Sequence, residues 1–255
     1  MILIDDPFFY LLAIPSVLIY GMSKGGLGGA TGAISVPLMA LAVDPIQAAV
    51  ILLPIICVMD IHTMVLFRGS FDRPVLKIIL PAAVVGIGFG SLLLGSVDVA
   101  YIKLLLVVIS ISFCLHHWFS LKVKHSTKED RFSGYFWGVV AGFTSTHVHA
   151  GGPPISIYLL PKNFDKVILV GTLAIFFGVA NFIKLIPYTF LGQFNSVNLW
   201  TSLALMPLAP IGVSVGHWLL KNGSQKVLYR LIYIVLFCSG VKLAFDALIS
   251  LEPFS

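Results

Sequence analysis

The chain has 255 residues, of which 58% are hydrophobic and only 11% charged, with a mean hydropathy of +1.00. A water-soluble domain could not carry that composition without exposing large apolar patches, so the sequence reads as an integral membrane protein whose surroundings are a lipid bilayer. The net charge of +5 lies in short connections between apolar runs, where cytoplasmic loops carry Lys and Arg, and this argues against a nucleic-acid partner.

The start, Met1-Ile2-Leu3-Ile4-Asp5-Asp6, lacks the positive n-region of a secretory signal, so the first apolar segment is expected to stay in the mature protein. That segment, 8–43, is interrupted by Gly21-Met22-Ser23-Lys24-Gly25-Gly26-Leu27-Gly28-Gly29-Ala30-Thr31-Gly32. Unwound backbone at bilayer depth leaves N–H and C=O groups without partners and persists only where protein or a water-filled cavity satisfies them. An arm of ~14 residues reaches only ~21 Å, so the stretch is expected to form a re-entrant helical hairpin, the alternative being one broken span. Three apolar runs follow, at roughly 46–67, 75–95 and 99–119, each long enough to cross. Asp60 and His62 lie inside the first of them, where ionisable side chains are functional hypotheses by default. Asp60 could equally neutralise Lys24, Lys184 or a histidine and only fix packing. His116 and His117, before Trp118, suit the interfacial aromatic belt.

After a basic linker at 121–132, the stretch 133–160 holds a second break, Gly142-Phe143-Thr144-Ser145-Thr146-His147-Val148-His149-Ala150-Gly151-Gly152-Pro153-Pro154, in register with the first at an offset of 121. Spans are expected at 166–187, 197–219 and 226–249, with Asn181 and Lys184 inside the first of these. Prolines 37, 54, 81, 187, 207 and 210 suggest kinks, and glycines 86, 88, 90, 212 and 216 close-packing surfaces. Cys57, Cys114 and Cys238 are odd in number and lack a CxxC spacing, so they read as packing residues and imply neither disulfide nor metal; no cofactor is expected.

Charge orients the chain. Arg68, Arg73 and Lys77 mark one loop as cytoplasmic and Lys122, Lys124, Lys128 and Arg131 another. If both glycine breaks turn back, Lys162, Lys166, Lys221 and Lys226 are cytoplasmic too, whereas Asp5, Asp6, Asp44, Asp98 and Glu252 face outside. At the offset of 121 Ile34-Ser35 meets Ile155-Ser156, Asp44 meets Asp165 and Asp60 meets Asn181. The expected fold is therefore all-α, with two inverted repeats in 1–120 and 133–255, each a glycine-rich hairpin plus three transmembrane helices.

These features resemble the sulfite exporter TauE/SafE family, also called the TSUP permeases: Gly25-Gly26-Leu27-Gly28-Gly29 early in the chain, Gly142-Phe143-Thr144-Ser145 through Gly151-Gly152-Pro153-Pro154, and two four-segment halves. The resemblance implies a multi-pass permease of a bacterial or archaeal inner membrane for small sulfur-containing anions such as sulfite or organosulfonates. The chain departs from it at His147-Val148-His149, where smaller or less basic residues are expected.

An anion site can also be argued from the residues. Helix arms ending at a mid-membrane break direct N–H groups and positive dipole ends into the gap. Ser23, Thr31, Ser35, Thr144, Ser145, Thr146 and Ser156 offer hydroxyls, and Gly28, Gly29, Gly151 and Gly152 allow close backbone approach; small residues also simply let membrane helices pack. Lys24 either attracts the anion or snorkels to the surface. His147 and His149 could contact the anion, couple proton movement, or be ordinary hydrogen-bonded histidines, with metal the weakest reading. Asp60, His62, Asn181 and Lys184 are the expected coupling or gating residues. The function expected is a secondary transporter of a small anion, open to proton coupling and to homo-oligomer formation. A passive anion channel is the alternative, and an intramembrane enzyme a weaker one, since no GxSxG or HExxH pattern is present.

Overall fold

In a computed structural model the described residues are 3–94 and 130–224, without Gly28 and Ala30, together with 107, 230, 234, 237, 241 and 245. Aspartate or asparagine opens most of the helices. Asp6, Asp44, Asp72, Asp130, Asp165 and Asn195 each accept a backbone N–H from the first turn, at 2.8–3.1 Å for the closest bond. They start α1 (Pro7–Gly25), α3 (Pro45–Leu66), α4 (Arg73–Leu92), α5 (Arg131–Val148), α7 (Lys166–Phe190) and α8 (Ser196–Leu205). Between these lie α2 (Ser35–Met39), which follows a 3-10 turn at Thr31–Ile34, and α6 (Gly152–Leu159); α9 (Leu208–Asn222) ends the described succession. No strand occurs among the described residues.

Helices α1, α3, α4 and α7 are each long and apolar enough to cross a membrane, and α8 with α9 makes one more if taken as one span. The expected span at 197–219 is thus not one straight helix: it bends by 44° at Met206-Pro207, because proline removes a backbone donor and crowds the preceding turn. Helices run on through Pro54, Pro81 and Pro187. The expected spans at 99–119 and 226–249, apart from those isolated positions, lie outside the described residues, with His116, His117, Cys114, Cys238 and nearly all of the basic linker.

The two broken stretches differ from expectation in arm length. Helix α1 has 19 residues and α5 has 18, ~28 and ~27 Å at 1.5 Å per residue, whereas the returning arms are the five residues of α2 and the eight of α6. Gly21, Gly25, Gly138 and Gly142 do not break their helices. They bring α1 against α9 and α5 against α4 at backbone distance: a Cβ on Gly25 would stand 2.1 Å from the Val213 carbonyl oxygen, and one on Gly142 2.3 Å from that of Ala83. Gly86, Gly90, Gly212 and Gly216 line the opposite sides of these crossings, whereas Gly88 has nothing within 4 Å. Past the breaks the chain doubles back. Ser35 Oγ donates to Ser16 O at 2.8 Å, and a Cβ on Gly134, near the start of α5, would lie 2.8 Å from Tyr158 Cζ at the end of α6.

Candidate functional site

The ends of α1 and α5 meet the middle of α3 and α7. Lys24, in the last turn of α1, forms an ion pair with Asp60 of α3. The second oxygen of Asp60 accepts from Asn181 Nδ2 of α7 at 2.7 Å. One turn on, Lys184 Nζ donates to Ser145 O at 3.0 Å and Ser145 Oγ at 2.9 Å, and lies 2.8 Å from His149 Nδ1. All these side chains are buried, Asp60, Asn181 and Lys184 completely.

His149 occupies the left-handed region at φ 51°, which non-glycine residues rarely adopt. Its N–H caps α5 on Ser145 O at 3.2 Å, and its Nε2 lies 2.9 Å from Ala49 O of α3. A carbonyl oxygen only accepts, so Nε2 carries a proton, and Nδ1 and the Lys184 nitrogen share the hydrogen between them. Tyr20 of α1 donates to His149 O at 3.5 Å, and Tyr188 donates to Thr146 O at 2.6 Å with its ring stacked 6.4 Å from that of His149.

The other predicted residues serve the breaks. Ser23 Oγ accepts from Gly32 N at 2.9 Å and closes the first break. Thr144 Oγ1 donates to Val140 O at 2.9 Å and reaches Ala150 O at 3.3 Å across the second. Thr146 and Ser35 spend their hydroxyls on the carbonyls of Gly142 and Ser16, and Ser156 is buried on α6. Gly29 holds φ 77°, and a Cβ on Gly29 or Gly151 would meet the Phe177 ring at 3.0 or 3.2 Å, so this one ring lies against both breaks. Gly152 opens α6; Gly28 and the Thr31 side chain lie outside the description. His147 bonds Phe143 O at 3.1 Å through Nδ1, leaving Nε2 buried without a partner among the described residues, as is Asn181 Oδ1. His62 is half-buried and enters none of the described contacts of the cluster.

Tyr20, Phe177 and Tyr188 escaped the sequence reading, because an aromatic residue inside an apolar run carries no signal of its own. Phe177 and Tyr20 face Lys24 Nζ at 5.2 and 5.6 Å from their ring centroids, and a narrow cavity with room for about one water lies beside Lys24, lined also by Ser23, Gly29 and Leu173. Among the described residues no group of three His, Cys, Asp or Glu could hold a metal ion.

No curated protein and no solved structure matches the chain. The family model for Sulfite exporter TauE/SafE matches residues 13–243. That range takes in both breaks and every member of the buried cluster, and the chain belongs to this family of membrane transporters.

Proposed function

We propose that the protein is a secondary carrier that moves a small sulfur-containing anion, sulfite or an organosulfonate, across a bacterial or archaeal inner membrane, binding it between the two glycine breaks. The observation that carries this is the convergence of two lysines, Lys24 and Lys184, on one buried cluster built from both breaks and from α3 and α7. Buried lysines in a membrane are retained where they face one another's partners, a water path or a charged cargo.

Halves related by inversion support alternating access. At the offset of 121, α1 corresponds to α5 and α4 to α8–α9, and the two tight helix crossings, α1 on α9 and α4 on α5, exchange under that correspondence. In this reading each hairpin enters from its own side and returns to it. His149 takes the coupling role, because a proton arriving at Nδ1 must break its bond to Lys184, so protonation and release of the lysine become one event.

Proteoliposomes test the carrier. Sulfite uptake is expected to saturate and to accelerate when the lumen is preloaded with sulfite. Uptake that rises linearly with concentration and ignores preloading would identify a passive pore.

A further inference from the structure

We infer that Lys184 is the cation that holds the anion and that the site accepts a single negative charge: a monoanion such as a sulfonate or hydrogensulfite, and not a dianion such as sulfate. The inference rests on the anion-carrier function proposed above and adds the charge of the cargo and the residue that meets it.

The two lysines are not equivalent. Lys24 has a counter-ion, Asp60, which is further held by Asn181. Lys184 is completely buried, and its three contacts are Ser145 O, Ser145 Oγ and His149 Nδ1. No carboxylate among the described residues pairs with it. Three contacts around a tetrahedral nitrogen suit an ammonium group, and with the Nε2 proton directed at the Ala49 carbonyl, Nδ1 is placed to share one excess proton with Lys184. His147 has its Nδ1 on a carbonyl and no partner for Nε2 among the described residues, and it does not touch Lys184.

With Lys24 and Asp60 cancelling, that excess proton is one uncompensated positive charge at Lys184. An unbalanced charge away from water is costly. A monoanion entering beside Lys184 removes that cost, whereas a dianion replaces it with the opposite one. The anion need only displace one neutral acceptor, and a charge-assisted bond is stronger than the one it replaces. Ser145 Oγ and His149 Nδ1, the side-chain partners of Lys184, are the groups that would yield.

Titration calorimetry on the full-length protein in detergent, at constant ionic strength, decides the matter with methanesulfonate and sulfate as probes. The wild type is expected to bind methanesulfonate and to bind sulfate roughly tenfold or more weakly. Lys184→Met should lose methanesulfonate binding by a similar factor while keeping its size-exclusion profile. Asp60→Asn, which leaves two lysines uncompensated, should gain affinity for sulfate. Equal binding of both anions by the wild type, or unchanged selectivity in a folded Asp60→Asn protein, would overturn the single-charge site. Full methanesulfonate affinity in Lys184→Met would overturn the role of that lysine. Neither outcome would touch the carrier function. A wild type that binds neither anion would remove the carrier function and this inference together. Should both variants fail to fold, the wild-type comparison still decides the charge.

Discussion

Lys24 and Asp60 form a buried ion pair whose two partners come from different elements, one at a helix end and the other well inside a span. Taking away one partner leaves the other charge buried alone, which costs about 3–5 kcal/mol. Lys24→Met should therefore destabilise the protein by that amount in chemical or thermal unfolding, and the double variant Lys24→Met/Asp60→Asn should regain most of it. Equal losses in single and double variants would mean that the pair is not what holds these elements together. Both residues were legible in the sequence as ionisable groups inside apolar runs, and so were Asn181 and Lys184. Their pairing was not. Asp60 had three candidate partners in the sequence, and only the packing of α1 on α3 selects Lys24. The hydroxyls show the opposite limit: Thr144, Thr146 and Ser35 stand where donors to an anion were expected, yet their hydrogens go to backbone carbonyls. Thr144 and Thr146 find the carbonyl four residues back and Ser35 that of Ser16 in α1, which residue type alone does not exclude. At the second break, a Cβ on Gly151 would lie 2.7 Å from Ala141 O and 3.0 Å from Ser145 Cβ. Gly151→Val should abolish anion binding while the protein still inserts, and normal affinity in an inserted variant would place the site elsewhere.

At the scale of elements, the sequence made the breaks visible but misplaced where helix ends. Gly21, Gly25 and Gly142 are expected within the breaks from the sequence, and instead they seat α1 and α5 against a neighbour's backbone. Glycine lowers helix propensity by only about 1 kcal/mol, which close packing offsets. Hence α1 and α5 run longer than the expected arms, and the returns are correspondingly short. The match of Asp44 with Asp165 has a local cause, since both cap the long helix that follows a broken stretch. Gly25→Val, aimed at the Val213 carbonyl oxygen, should destabilise the protein by more than the about 1–3 kcal/mol typical of overpacking, because backbone cannot move aside as a side chain can. Gly88→Ala, with open space around it, should lower stability little if at all. Equal melting shifts for the two variants would show that the α1–α9 crossing is not tight.

For the whole molecule, the arrangement we propose from loop charge and the offset between halves has hairpins entering from opposite faces, with Asp44 and Lys166 on opposite sides of the membrane. Cysteine substitution at these two positions, with membrane-impermeant labelling of intact cells, should mark position 44 alone; labelling of both from one side would defeat the inverted arrangement. The class of the molecule was legible from composition and its family from the two breaks. A common site at the two breaks is expected from their matching positions in the halves, but which side chains meet there is not, because contacts between residues more than a hundred positions apart leave no local pattern.

The central claim is that both breaks belong to one anion site. In a protein whose three cysteines have been replaced, Ser23→Cys and Ser145→Cys place one thiol at each break. The rate at which a small methanethiosulfonate reagent modifies each thiol is then measured against methanesulfonate concentration. One site requires that the anion slow both reactions with the same half-saturating concentration. Protection at one break only, or at two unrelated concentrations, would contradict a shared site.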